Sequence, residues 1–189
     1  MGKISKVVWV SRRKGEAFKE KHLTSSFKSG RTSVGVWGAI SGYHHGPLVV
    51  LDGKMNQHVY REKILKQYGF PFYDKVRKNP EGEGEIDWVE DNARYHNTVA
   101  NMAYRRKVGF PRKWWPSQSP DLNPIENVWA IIKRRINRKR HRIYSKEEMI
   151  EAIREEWALL TPDDYRKVID SMQKRIRLCI LACGGSLKY

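Results

Sequence analysis

The sequence predicts an α/β domain with a helical carboxyl-terminal end. Short apolar runs typical of strands alternate with stretches in which apolar residues recur at helical spacing, and only helical patterns follow residue 123. The 189 residues are 40% hydrophobic and 11% aromatic, which is the composition of a globular chain with a full core. We expect a sheet-containing domain over residues 1–142 and a helical extension over residues 143–189.

The strand candidates are runs rich in β-branched and aromatic residues, bounded by glycine or by charged loops. "GYHHG" forms a turn between the second and third of them, and a Gly/Glu loop precedes the fourth. The predicted strands are Lys6–Val10, Thr32–Gly42, Gly46–Gly53, Ile86–Glu90 and the short run "RKWWP" at residues 112–116.

The helix candidates each have a start signal. Asn56 can cap a helix in which Val59, Tyr60, Ile64 and Tyr68 recur at helical spacing. Asn123 is a favourable N-cap because a proline follows it at the first helical position. The other predicted helices are Thr98–Lys107, Lys146–Leu160 after a possible cap at Ser145, and residues 162 to about 182 after Thr161.

The charge of the chain indicates a polyanionic partner. There are 37 Lys and Arg residues against 21 Asp and Glu, which gives a net charge of +16 and an isoelectric point of about 9.9. Such a charge attracts phosphate backbones without regard to base sequence. Ribosomal and membrane-surface proteins carry a similar excess, so the charge fixes only the sign of the partner. The sequence has no apolar run long enough for a bilayer span or a signal peptide, which indicates a soluble intracellular protein.

Two carboxylates stand at positions suited to metal binding. Asp91 ends a strand-like run, Glu126 lies in the first turn of a predicted helix, and 34 residues separate them. Ligands of open α/β sheets commonly lie at strand ends. Phosphodiester cleavage is often carried out with two Mg²⁺ ions, which prefer carboxylate oxygens. The pair therefore indicates a nucleic-acid-cutting site.

Each acid also has an ordinary structural interpretation. "NPIE" has the spacing of a capping box, in which Glu126 would only bond back to the amide of Asn123. Asp91 could be part of a simple strand-to-turn junction, where Asp and Asn are favoured. For either acid alone the ordinary interpretation is preferable, and only the pair with its intervening loop favours a metal site.

The strings "DNARYH" and "GFPRKWWPSQSPDLNPIENVW" resemble the catalytic domain of mariner-superfamily transposases, in the branch whose third acid is glutamate. The likeness covers roughly residues 7–136, and the 34-residue gap matches the family's spacing. The resemblance implies a ribonuclease H-like fold, with a mixed sheet flanked by helices, and metal-dependent excision and joining of DNA. By match, Asp91 is the second acid and Glu126 the third. Both would bind Mg²⁺ or Mn²⁺ in a two-metal site, with Asn92, His96 and Asn123 shaping that site.

The resemblance has one serious departure. The family's first aspartate lies on the opening strand, just upstream of the strand that "VVWV" resembles, and here only "MGKISK" precedes that run. The expectation is therefore a transposase domain that lacks its opening strand and is inactive in transposition as written. A non-catalytic DNA-binding relic of a transposable element is the alternative. A further alternative is an interaction protein that self-associates, as a homodimer, through its carboxyl-terminal helices.

A basic stretch, "KRRINRKRHR", follows the helix that carries Glu126 and has seven Lys and Arg residues in ten. It is a candidate for DNA phosphate contacts or nuclear import, and a solvated helix end is the alternative. Trp114 and Trp115 could stack on bases, but core packing is the stronger expectation. The predicted DNA-contacting residues are Lys133, Arg134, Arg135, Arg138, Lys139, Arg140 and Arg142. A nuclear location and DNA as partner follow from this interpretation.

Overall fold

A small antiparallel sheet forms one layer of the molecule. The computed structural model describes residues 2–5, 33–79, 86–117, 119–139 and 143–185. Strand β1 (Gly2–Ser5) pairs with β2 (Ser33–Ile40), and β2 pairs with β3 (His45–Leu51). The strands predicted around β2 and β3 are thereby confirmed. The predicted strand Lys6–Val10 lies outside the described residues.

The two faces of the sheet pack against different helices. Val34 and Val36 of β2 join one apolar cluster, whereas Trp37 and Ala39 contribute to the packing on the other side. Successive side chains of a strand point to opposite faces, so one alternating apolar run supplies both layers. Helices on both sides of a sheet confirm the predicted α/β class.

The helix after β3 begins where the sequence predicts. Asn56 accepts hydrogen bonds from the backbone N–H groups of His58 and Val59, both at 2.9 Å. Helix α1 (Gln57–Val59) continues through a π-helical stretch (Tyr60–Gly69) into α2 (Phe70–Arg77). The buried face of this continuous helix covers one side of the sheet.

Two predicted strands are wrong. Residues 86–90 and 112–116 form no strand, although the N–H of Lys113 donates to the carbonyl of Trp88 at 2.8 Å. A strand needs a repeated ladder of backbone hydrogen bonds, and a single bond between the two segments does not make one. Asp91 therefore follows an extended segment rather than a strand.

The predicted carboxyl-terminal helices are confirmed, with one division. Residues 162–182 form two helices rather than one, because the helix is interrupted at Ser171. Ser145 and Glu148 form a capping box at the start of the helix Lys146–Ala158, and Asp164 accepts from the N–H and hydroxyl of Thr161 at the start of the helix Pro162–Asp170. The helices are α3 (Val99–Lys107), α4 (Pro124–Arg138), α5 (Lys146–Ala158), α6 (Pro162–Asp170) and α7 (Met172–Leu181).

One apolar cluster joins β2 to α4, α5 and α6. The rings of Trp129 and Trp157 stack 5.0 Å apart, and they lie over Gly38, where an added Cβ would stand 2.6 Å from Trp157. The indole of Trp157 also donates to the carbonyl of Gly46 at 2.9 Å. This packing spans the predicted boundary at residue 142, which stays a prediction.

Candidate active site

Asp91 is held by the turn that follows it. Its Oδ1 accepts the N–H of Ala93 at 3.0 Å, and the Nδ1 of His96 lies 2.9 Å from the same oxygen. That Nδ1 is also 2.8 Å from the backbone oxygen of Asp91. Because both of these partners are acceptors, Nδ1 carries the proton and donates. His96 is only 5% exposed and packs between Tyr60 and Tyr95, so its ring is fixed.

These contacts keep Asp91 ionised. The hydrogen bond from His96, with that from Ala93, holds the pKa of the Asp91 carboxyl well below its usual range and outweighs the effect of partial burial. The Asp91 side chain is still 45% exposed, so solvent reaches the carboxylate. An ionised and accessible carboxylate is the form that binds a divalent cation.

Arg112 fixes the backbone on both sides of Asp91. Its Nη2 lies 3.1 Å from the carbonyl of Glu90, 3.0 Å from that of Asp91 and 2.8 Å from Oδ1 of Asn92. Asn92 in turn donates through Nδ2 to the carbonyl of Trp115 at 2.7 Å. The predicted site-shaping role of Asn92 therefore has a structural basis, since this side chain ties the Asp91 turn to residues 112–115.

A buried charged network lies directly behind Asp91. Glu90 is 8% exposed and accepts hydrogen bonds from Arg105, the hydroxyl of Tyr60 and the indole N–H of Trp88. Burial and the neighbouring Glu90 carboxylate raise the pKa of Tyr60 well above its ordinary value, so the hydroxyl remains a donor. Sequence reasoning missed this network. Its only signal was an acid inside an apolar run, which a folded chain tolerates only when that acid is paired.

Glu126 lies in the first turn of α4, as predicted. Its N–H donates to the carbonyl of Asn123 at 3.1 Å, but the Asn123 side chain makes no capping hydrogen bond. The capping-box interpretation of Glu126 is therefore wrong. Within the described part of the chain the Glu126 carboxylate has no hydrogen-bond or ion-pair partner, and the positive end of the helix dipole favours its charge.

A cavity of about 1280 Å³ connects these elements. Its walls include Asp91, His96 and the residues Asn123, Pro124 and Ile125 at the start of α4. Glu126 is not one of the lining residues, although the three residues that precede it are. Asp91 and His96 are brought together directly, and α4 borders the space in front of them.

The donor atoms fit a hard divalent cation in type but not in number. Asp91 and Glu126 supply carboxylate oxygens, and neither is used to cap a helix. Across the described residues, however, no group of three or more His, Cys, Asp and Glu side chains is placed to hold a metal ion.

The predicted DNA-contacting residues divide into two sets. Arg135 is held in an ion pair within the protein, because its Nη2 lies 2.8 Å from both carboxylate oxygens of Asp164. Lys139 pairs with Glu156 at 2.8 Å and with Glu155 at 3.4 Å. Within the described part of the chain, no such ion pair involves Lys133, Arg134 or Arg138, which are exposed or half-buried, whereas Arg140 and Arg142 lie outside the described residues.

Trp114 departs from its expected role. Its side chain is 78% exposed, so the expectation of core packing is wrong, whereas Trp115 is half-buried. Both residues line the cavity that contains Asp91.

Sequence comparison identifies the class of protein to which this fold and these acids belong. The model of the family described as DDE superfamily endonuclease matches residues 8–150. That match covers both acids and most of the chain, and the chain belongs to this family.

Among curated proteins the chain is similar to transposases of nematode transposable elements. It is 33% identical to the Tcb1 transposase of Caenorhabditis briggsae over 187 residues, covering 97% of this chain and 64% of the relative. It is 30% identical to the Tc1 transposase of Caenorhabditis elegans, covering 96% and 63%. The chain therefore spans less than two thirds of the length of these relatives.

Solved structures of the Mos1 transposase share the fold. The pre-cleavage Mos1 transpososome has a TM-score of 0.73 at 17% identity, covering 99% of this chain and 55% of that chain. The Mos1 catalytic domain with raltegravir and Mg has a TM-score of 0.66 at 18% identity, covering 84% and 78%. The ribonuclease H-like prediction is thereby confirmed.

Within the described residues, no helix is long and apolar enough to cross a membrane.

Proposed function

We propose that this chain is the catalytic portion of a DNA transposase, which cuts phosphodiester bonds and joins the released ends to target DNA. The observation that carries the proposal is the ionised carboxylate of Asp91, which His96 holds at the wall of a cavity bordered by the start of α4. The similarity to Tc1-type transposases supports the same conclusion.

In this proposal Asp91 and Glu126 hold Mg²⁺ or Mn²⁺. When bound, two such ions would supply the activation of water or a 3′-hydroxyl and the stabilisation of charge on the leaving oxygen. Asp91 contributes a carboxylate that stays ionised because His96 donates to it, and Glu126 contributes one that no capping bond occupies. Arg112 keeps the Asp91 backbone in place through its bonds to neighbouring carbonyl oxygens.

Two carboxylates are fewer than a three-acid site requires. The described residues contribute no third ligand to Asp91 and Glu126. We therefore propose that a complete site needs one more acid besides these two.

A DNA-binding relic is the second candidate. Arg134 and Arg138 lie exposed on α4, and the net charge of +16 would attract a phosphate backbone whether or not the acids work. In this alternative the chain binds DNA and cuts nothing.

Substituting Asp91→Asn separates the two candidates. We expect the variant to lose all Mg²⁺-dependent nicking of supercoiled plasmid, because it lacks one of the two metal-binding carboxylates. Salt-dependent DNA binding, measured by fluorescence anisotropy, should stay within about twofold of the unmodified chain, because one neutralised surface acid changes the phosphate attraction little.

The relic candidate predicts a different outcome. The unmodified chain would then nick no DNA in Mg²⁺ or Mn²⁺, while both proteins would bind DNA equally. Nicking that persists in Asp91→Asn would contradict the assignment of the site. Glu151→Gln, on the exposed face of α5, is the matched control because it removes one acid that does not line the cavity.

We also propose transposon ends and target DNA as partners, with assembly as a homodimer in the nucleus. Solved Mos1 structures include a paired-end complex and a strand transfer complex, which supports this choice of partners. The basic residues 133–142 would serve either as phosphate contacts or as an import signal.

A further inference from the structure

An exposed indole stands beside the proposed cleavage site. Trp114 is 78% exposed, although tryptophan is one of the side chains that proteins usually bury in large part. Leaving so much apolar ring surface in water opposes folding. An exposed indole presents a flat apolar face on which a planar group can stack.

The backbone holds this indole in a defined place. On one side of Trp114, the N–H of Lys113 donates to the carbonyl of Trp88 at 2.8 Å. On the other side, the carbonyl of Trp115 accepts from Asn92 at 2.7 Å. Both bonds lead to residues 88–92, the segment that contains Asp91. The backbone of Trp114 is therefore fixed relative to the proposed catalytic carboxylate.

Trp114 and Asp91 also line the same cavity, together with Asn123 at the start of α4. DNA seated in this cavity with a phosphodiester at Asp91 would thus share the cavity with the indole. Within a duplex, stacked base pairs offer only their edges to a protein, whereas an unpaired base offers its whole face.

We propose that Trp114 is a stacking platform for an unpaired base next to the phosphodiester at Asp91. This inference rests on the proposed DNA function and names the substrate feature that the site selects. The excess of positive charge would bring the DNA backbone to the surface, and the indole would discriminate ends with unpaired bases from blunt duplex.

The test compares two DNAs of equal duplex length, one blunt and one with a short single-stranded overhang. Dissociation constants are measured by fluorescence anisotropy in Ca²⁺ at fixed salt, for the unmodified chain, Trp114→Ala and Trp114→Phe. Trp114→Ala should weaken binding of the overhang DNA by about tenfold and leave blunt DNA unchanged. Trp114→Phe should retain most of the affinity because it keeps an aromatic face.

An abasic overhang provides the matched control. If the indole stacks on a base, removing the bases should lower the DNA affinity of the unmodified chain to that of Trp114→Ala. It should not lower the affinity of Trp114→Ala any further. Equal losses on blunt and overhang DNA, or no loss on either, would overturn the inference while leaving the DNA function intact. If the unmodified chain binds neither DNA, both the inference and the proposed function fail.

Folding is controlled independently. Because the Trp114 side chain is mostly in water, Trp114→Ala should melt within a few degrees of the unmodified chain by circular dichroism. A 2-aminopurine placed in the overhang should be quenched on binding to the unmodified chain. It should stay bright with Trp114→Ala, and quenching by both proteins would overturn the stacking.

Discussion

The two proposed catalytic acids are positioned by different kinds of structure. Asp91 follows an extended segment without a backbone ladder, and side chain-to-backbone bonds from Arg112 and His96 hold it. Glu126 stands on a regular helix whose opposite face is buried against the sheet and α5. A polar network needs every partner in place, whereas apolar packing tolerates small losses. Substitutions that remove a charge should therefore disturb the segment around Asp91. Substitutions that change side-chain volume should disturb the packing of α4.

The largest expected effect tests the polar region. Substituting Glu90→Ala should lower the free energy of unfolding by about 3–5 kcal/mol, because Arg105 would remain buried without its carboxylate partner. Chemical denaturation with urea measures this change.

Arg105→Ala completes a double-mutant cycle with Glu90→Ala. The double variant should lose less unfolding free energy than the sum of the losses in the two single variants. A loss below about 1 kcal/mol for Glu90→Ala would mean that the network does not hold the Asp91 segment.

A smaller effect is expected from a change of volume in the apolar region. Ile132 of α4 is fully buried, and Ile132→Ala should cost about 3 kcal/mol by leaving a cavity, measured by the same denaturation.

The conservative Ile132→Val should cost about 1 kcal/mol. If both variants destabilised the chain equally, the cost would not scale with removed volume, and the contrast between the two regions would fail.

The smallest effect is the pH dependence of the Asp91 contacts. Since the folded chain lowers the pKa of Asp91, its carboxylate stabilises the fold above the unfolded pKa of about 3.9 and loses that contribution as the pH falls. The unfolding free energy of the unmodified chain minus that of Asp91→Asn, measured in EDTA, should decrease by up to about 1 kcal/mol between pH 7 and pH 3. A difference that stayed constant or grew over this range would contradict the His96 interaction.

The elements that the sequence predicted well are those whose signals are local. Asn56, Ser145 and Thr161 all begin helices, because the hydrogen bonds that cap these helices join groups only a few residues apart. The strands β2 and β3 were predictable because their alternating apolar residues pack on two faces at once.

Elements that depend on distant partners were not predictable in the same way. The run at residues 86–90 has the composition of a strand, but strand formation also requires a neighbour that supplies a ladder. The pairing of Glu90 with Arg105 and the exposure of Trp114 likewise depend on which surfaces the fold brings together. Asp91 and Glu126 were found through their resemblance to a known pattern, and their roles stay proposals.

Gly38 has a consequence for how copies of such a gene diverge. An added methyl group there would press on Trp157 and on Trp129, one turn after Glu126, so the position is closed to larger residues for reasons of folding alone. Asp91 and Glu126, by contrast, would be retained mainly by selection for cutting DNA, since Asp91 adds at most about 1 kcal/mol to the stability of the fold. In a lineage that keeps the fold but has abandoned the chemistry, position 38 should stay glycine while positions 91 and 126 drift. Variation at these three positions would therefore distinguish copies that have lost only the cutting activity from copies that have also lost the fold.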